Sequence, residues 1–195
     1  MIRRLLLTAT TLCFAGVSLS YASTWTVDPV HSNLGFKVRH MMVSNVLGSF
    51  NKFDAKADYN EDDIAKSKVE VTVDVGSIST GNEKRDSDLK SASYFDAMKY
   101  PTMTFVSKRI TKTSTGIDIV GDLTIHGITK EITLAVDGPT APVKGPMGTR
   151  MGASATAKID RRDFGLLTNM PLEGGGVVVG NDVYIMVEAE LVQQQ

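Results

Sequence analysis

The sequence predicts an all-β domain, and three observations carry that expectation. Apolar and polar residues alternate with period two through most of the chain beyond residue 22, the pattern of strands with one dry and one wet face. No long amphipathic helix stands ready to cover those strands, so they must close into a barrel or stack as a sandwich. Some apolar faces carry alanine where a sandwich core would carry Val, Ile or Leu: Ala153, Ala155 and Ala157 in one strand, Ala55 and Ala57 in another. Alternation separates barrel from sandwich poorly. The alanines tip the reading to a barrel with space inside, unless bulky partners face them across a filled core.

The chain opens with a segment of another kind. Met1-Ile2-Arg3-Arg4 is basic, Leu5 to Leu19 is mostly apolar, and Ser20-Tyr21-Ala22 places small residues at the positions a signal peptidase reads. Residues 1–22 are therefore expected to be a cleaved signal peptide and residues 23–195 one exported, periplasmic domain. Thr8, Thr10, Thr11 and Ser18 interrupt the apolar run, which argues against a retained anchor. The single cysteine, Cys13, lies inside this leader, where Thr10 and Leu12 match a lipoprotein cleavage site poorly. The mature domain then has no thiol for disulfides, nucleophilic catalysis or metal binding, and a packed core must hold it. Two of the 21 basic residues leave with the leader, so 19 face 22 acidic ones. A charge near −3 speaks against nucleic-acid binding.

Strands are expected at about 24–28, 33–40, 48–59, 69–75, 102–108, 117–126, 132–136, 150–160 and 183–191, eight or nine in all. Val69, Val71, Val73 and Val75 alternate with Glu70, Thr72 and Asp74. Val183, Ile185, Val187, Ala189 and Leu191 alternate with Tyr184, Met186, Glu188 and Glu190. Two connections are longer. In 76–101, Asn82 is placed to cap a short helix. Residues 161–182, with Gly174-Gly175-Gly176, read as a mobile loop, and Gly138 to Gly148 as a turn or flap.

Four ordered segments resemble the YceI-like family of exported bacterial lipid carriers: TWTVDPVHSNLGFKVRHMMVSNVLGSF, RDSDLKSASYFDAMKYPTMTF, GDLTIHGITKEI and RRDFG. They span nearly the whole predicted domain. The resemblance implies a lipocalin-like, extended antiparallel eight-stranded β-barrel with one or two short helices. It also implies a lumen for a long-chain isoprenoid, a quinone or polyprenyl phosphate, or a fatty amphiphile. Two departures stand out: Asp88 where the family commonly has His, and Met170-Pro171 with the triple glycine after RRDFG.

Chemistry-bearing residues are sparse. His31, His40 and His126 form a candidate zinc or copper trio, but they are far apart and their strand parities differ. Structural histidines are the plainer reading. A periplasmic metal-binding or stress-related protein using His31 and His40 is kept as the alternative function. Met41 and Met42 beside His40 admit a copper(I) reading, against ordinary apolar filling. Arg85-Asp86 and Arg161-Arg162-Asp163 lack a nearby nucleophile or matched acid, so paired braces are expected there, with a phosphate-binding arginine as the sharper option. No phosphate loop, nucleophile elbow or HExxH is present, and the chain does not read as an enzyme.

The lumen is the stronger candidate. Phe36, Val38, His40, Phe53, Ala55, Val71, Met103, Phe105, Leu123, Ile125, Ala155 and Ile185 share the apolar parity of their strands. Tyr94, Phe95, Phe164 and Leu166 lie on connections that would close an end. For each, core packing is the plain alternative to ligand contact. An outer-membrane barrel is disfavoured, because Lys37, Arg39, Asp54, Lys56, Glu70 and Glu188 on the other face cannot form a lipid-facing band. No cofactor is expected. Membrane contact would be transient, and the protein a monomer or homodimer.

Overall fold

The computed structural model describes residues 22–194, so the predicted signal segment lies, Ala22 apart, outside the described residues. Twelve strand segments follow one another: β1 (Ser23–Val27), β2 (Asn33–His40), β3 (Ser44–Phe50), β4 (Phe53–Tyr59), β5 (Lys68–Asp74), β6 (Ile78–Ser79), β7 (Thr102–Lys112), β8 (Ile117–Ile125), β9 (Ile128–Asp137), β10 (Val143–Gly145), β11 (Gly148–Asp160) and β12 (Val179–Gln193). Short breaks divide three longer strands, β1–β2, β3–β4 and β5–β6. With these joined and β10 set aside as an extra ribbon on β11, eight antiparallel strands run up and down in chain order. This is the closed eight-stranded, lipocalin-like barrel that the resemblance implied.

Closure is made by β12. One of its edges receives β1, from Trp25↔Gln193 to Val27↔Leu191, and β2, from Asn33↔Glu188 to His40↔Val179. The other edge pairs with β11 continuously from Arg150↔Val192 to Asp160↔Asp182. The remaining joint is short, since β9 meets β11 only from Ala135↔Thr156 to Asp137↔Ser154. Below it β9 leaves β11, and the 3-10 turn Arg161–Phe164 with Gly165 packs near Ile128 and His126 instead.

The period-two pattern places Met103 and Phe105 of β7, Ile119 and Ile125 of β8, and Val136 of β9 inside, all buried. Two glycines make room for inward aromatic rings. Phe36 pairs with Gly48 across β2 and β3, and its ring lies where a Gly48 side chain would stand. A methyl on Gly121 would lie 2.5 Å from both the Phe105 ring and the Val106 carbonyl oxygen. These glycines let phenylalanine rings lie along the wall, where the ring covers the bare backbone.

The connections are more ordered than loops. Helix α1 (Glu83–Lys90) is capped as expected, Asn82 Oδ1 accepting from the Arg85 amide at 3.0 Å. The glycine-rich segment folds back on itself through a Pro171–Val177 bridge, and Asn169 both donates to the Val179 carbonyl and accepts from its amide. Within the expected flap, β10 forms a hairpin with β11.

The expected arginine–aspartate braces take a different form. Arg85 and Asp86 do not bond to each other. Both grip Thr80: Arg85 Nε donates to its hydroxyl at 2.7 Å, while Asp86 Oδ1 accepts from its amide at 2.8 Å. Arg161 has no carboxylate partner among the described residues, because Asp160 is taken by Arg162 at the surface. Arg162 holds the Asp160 carboxyl down at about 2.

A charged cluster fixes the bend between β1 and β2. Asp28 Oδ2 accepts from Arg150 Nη1 at 2.6 Å and lies 2.9 Å from His31 Nδ1, and Arg150 also bonds Glu190. Three strands are tied at one corner. The Arg150 and His31 contacts hold the Asp28 carboxyl well below the usual carboxylate range.

Two predictions follow from these contacts. Gly121→Ala must shift backbone or the Phe105 ring, and overpacking of this kind costs about 1–3 kcal/mol. The expected result is a melting temperature lower by several degrees, read by circular dichroism, and an unchanged value would show that the wall yields freely. Because the folded pKa of Asp28 is depressed, its contribution to stability holds above the ordinary value of about 3.9 and is lost as pH falls from there. In Arg150→Met the Asp28 midpoint should rise toward that ordinary value, as measured by carboxyl-carbon NMR titration.

Candidate functional site

The barrel encloses an elongated cavity of about 310 Å³ whose walls are almost wholly apolar. Its wall includes Phe36 and Val38 of β2, Phe53 and Ala55 of β4, Val71 of β5, and Met103 and Phe105 of β7. Leu123 and Ile125 of β8, Ala155 of β11 and Ile185 of β12 complete the ring. Tyr94 and Phe95 after α1, with Phe164 and Leu166 after β11, line one end. The structure thus brings fifteen of the sixteen residues singled out by parity and position to one cavity.

His40 is the exception. It shares the parity of Phe36 and Val38 but stands at the last pair of β2, opposite Val179 and Ser44, and does not line the cavity. Parity was a sound guide only while the strand lasted. The chain turns away at once, with Met41 and Met42 in left-handed backbone.

Further wall residues carry the same signal. Leu34, Val69, Val73, Ile119, Ile132 and Leu134 occupy inward positions of their strands, as do Val183, Val187, Ala189 and the space-leaving Ala153. Ala57 also lines the cavity, whereas Ala157 does not. Arg161 and Val179 also contribute to the wall: Arg161 opens the turn after β11, and Val179 begins β12 ahead of its register shift, places where alternation gives no guidance.

The two ends differ in chemistry. At the β1 end, Trp25 is 1% exposed and packs with Ala57 and Met151, against Val69 and Leu191. Its indole N–H donates to Ser23 Oγ at 2.8 Å, so that donor is already used. At the α1 end, Phe50 stacks edge-on against Phe95 at 6.0 Å and tilts toward Phe36 at 5.8 Å. There Arg161 is 6% exposed, with Nε donating to Gly180 O at 3.0 Å and Nη1 to Thr168 O at 3.1 Å. It also donates to Leu166 O, Val179 O and Asn181 Oδ1. Burial pushes the Arg161 pKa down, and Tyr94 and Asp160 oppose that.

The histidines do not meet. His31 lies beside Glu190 and His40 is paired with Val179, at opposite ends of β12. Val179 and Glu190 are eleven positions apart; at a rise of about 3.3 Å per position, roughly 36 Å of strand lies between them. A joint His31–His40 metal site is thereby overturned. His126 is not in a strand: it sits in the β8–β9 turn with positive φ, edge-on to Tyr100 at 4.5 Å. Among the described residues, Asp28, His31 and Glu190 alone approach as a metal-ligating group. Their carboxylates are already matched by Arg150, so the cluster reads as an ion-pair corner. Asp88 is exposed on α1 and does not line this cavity.

The comparisons agree with this geometry. The YceI-like domain model matches residues 25–191. A UPF0312 protein of Staphylococcus aureus (strain MSSA476) is 39% identical over 170 residues, covering 86% of this chain and 96% of that protein. Among solved structures, the Campylobacter jejuni YCEI protein is 30% identical with a TM-score of 0.64, covering 87% of this chain and 96% of its own. Burkholderia cenocepacia BcnA shares the fold at a TM-score of 0.73 and 24% identity, covering 84% of this chain and 98% of its own. A polyisoprenoid binding domain from Saccharophagus degradans shares it at 0.62 and 16%, covering 87% and 98%. A closed eight-stranded barrel, an apolar lumen, and a family match across nearly all the described residues lead to one assignment: the chain belongs to the YceI-like family.

Proposed function

We propose that the protein is an exported, periplasmic carrier that holds a long apolar chain, an isoprenoid or comparable amphiphile, in the barrel lumen. The observation that carries this reading is the cavity itself. Alanines at 55, 57, 153, 155 and 189 leave room that a stability-optimised core would fill. Its apolar walls offer water few partners, and such a space favours an apolar guest. The Saccharophagus degradans domain, described as binding polyisoprenoid, shares the fold and supports the same reading. A quinone or a polyprenyl phosphate fits this chemistry equally. Lys56, Tyr94, Thr104 and Arg161 are the polar residues of the wall, and they do not compose a nucleophile with its base, so binding rather than catalysis is the function inferred.

The energetics suit transfer. Each buried CH₂ is worth about 0.8 kcal/mol against water, which retains the chain in an aqueous compartment. Against a bilayer the gain nearly vanishes, since lipid is equally apolar, so cargo can be handed back during transient membrane contact.

Protein purified from its native compartment without detergent and extracted with organic solvent should yield one stoichiometric long-chain species by mass spectrometry. An empty extract that stays empty after incubation with isoprenoid lipids would remove the carrier function. Ala155→Phe, on the cavity wall, should weaken lipid binding about tenfold or more. Its melting temperature should stay close to the parent's, so that loss of space is read apart from loss of fold.

A further inference from the structure

We propose that the cavity takes its cargo in one orientation, an electronegative head group against Tyr94 and Arg161 and the apolar tail running toward Trp25. This deepens the carrier reading and rests on it. The class of head group is one that presents an acceptor or negative charge, such as a carboxylate, and excludes a cationic amine.

The argument starts from how unevenly polarity is distributed along the lumen. Lys56 and Thr104 have the outward parity of β4 and β7, and the Lys56 ammonium lies 3.5 Å from Asp58 on the surface. That leaves Tyr94 and Arg161, both at the α1 end. At the other end the wall is Val27, Ala57, Val69, Ala189 and Leu191, and Trp25 packs directly behind Ala57, Val69 and Leu191 with its N–H already bonded.

Tyr94 and Arg161 offer complementary things. Among the described residues the Tyr94 hydroxyl has no hydrogen-bond partner, and Tyr94 acts electrostatically on Arg161. A hydroxyl beside an apolar cavity is an available donor for a head-group oxygen. The Arg161 N–H groups are consumed by four carbonyl oxygens and Asn181, so it positions loop rather than grips cargo. Its charge is not consumed. Oriented carbonyls lower a monopole's field without cancelling it, and Asp160, which acts on Arg161, does not line the cavity and is held by Arg162. In surroundings of low polarizability that field stabilises an anionic or carbonyl head and repels a cation. From Gly180, bonded to Arg161, to Leu191, beside Trp25, the wall runs eleven residue steps along β12. At a rise of about 3.3 Å per step that is roughly 36 Å of strand, and with the tilt of about 40° usual in such barrels it gives roughly 28 Å along the axis for a tail.

Trp25 is the sole tryptophan and reports the tail end directly. The test uses full-length mature protein stripped of lipid and docosanoic acid brominated either at its terminal carbon or beside the carboxyl. Bromine quenches indole emission on near contact. The terminally brominated acid should quench Trp25, and the acid brominated beside the carboxyl should not. Unbrominated docosanoic acid should reverse that quenching at a concentration at least tenfold below docosylamine. Tyr94→Phe, which removes one oxygen, should weaken docosanoic acid several-fold and leave docosylamine unchanged. Reversed quenching, or equal competition by acid and amine in the parent protein, overturns the orientation while the carrier reading stands. Absence of quenching by either acid, with no binding by calorimetry, sinks both.

Discussion

The pairing of β11 with β12 from Arg150 to Asp160 is the constraint on which the remaining structure depends. Without it the chain is an open meander with two long bare edges, each a template for aggregation. With it, almost every strand finds partners on both sides, and the alternating side chains acquire an inside. Everything that concerns function is a consequence of that inside. The Arg150–Asp28–Glu190 corner ties β1 and β2 to the closing ladder, so that one edge of β12 can serve two strand segments.

The fold was legible because the period-two signal is strong and local. Val69 to Val75 and Val183 to Leu191 announce their strands and their faces, and Asn82 announces its helix. The wall of the cavity was legible for the same reason: a residue's parity decides whether it faces the lumen. Legibility stopped where strands stop. His40 obeys parity but sits at a strand end, and His126 belongs to a turn. Arg161 could be seen in the sequence as a charged residue, but nothing local shows that its acceptors are carbonyls from 166–180, some of them nearly twenty residues away. Its partners are set by tertiary packing of a loop, which has no periodicity to read.

Within the lumen two kinds of small residue do different work. Gly48 and Gly121 yield their volume to Phe36 and Phe105, so that wall and ring become one surface. Ala57 packs against Trp25, while Ala55, Ala153, Ala155 and Ala189 leave space beside the cavity. Native interiors reach their density by interlocking side chains, and this interior stops short of that along its axis. Stability is given up there, and the three buried clusters around the cavity supply the cohesion that the axis lacks.

The short joint between β9 and β11 gives the cylinder a grain. Elsewhere the circumference is held by long ladders that resist widening cooperatively. At this joint three residue pairs hold the backbone, and below them only side chains and the turn at Arg161–Phe164 bridge the gap. A tube of this construction does not dilate evenly. Widening for a bulkier guest would cost least along that one line, where the fewest backbone hydrogen bonds have to break.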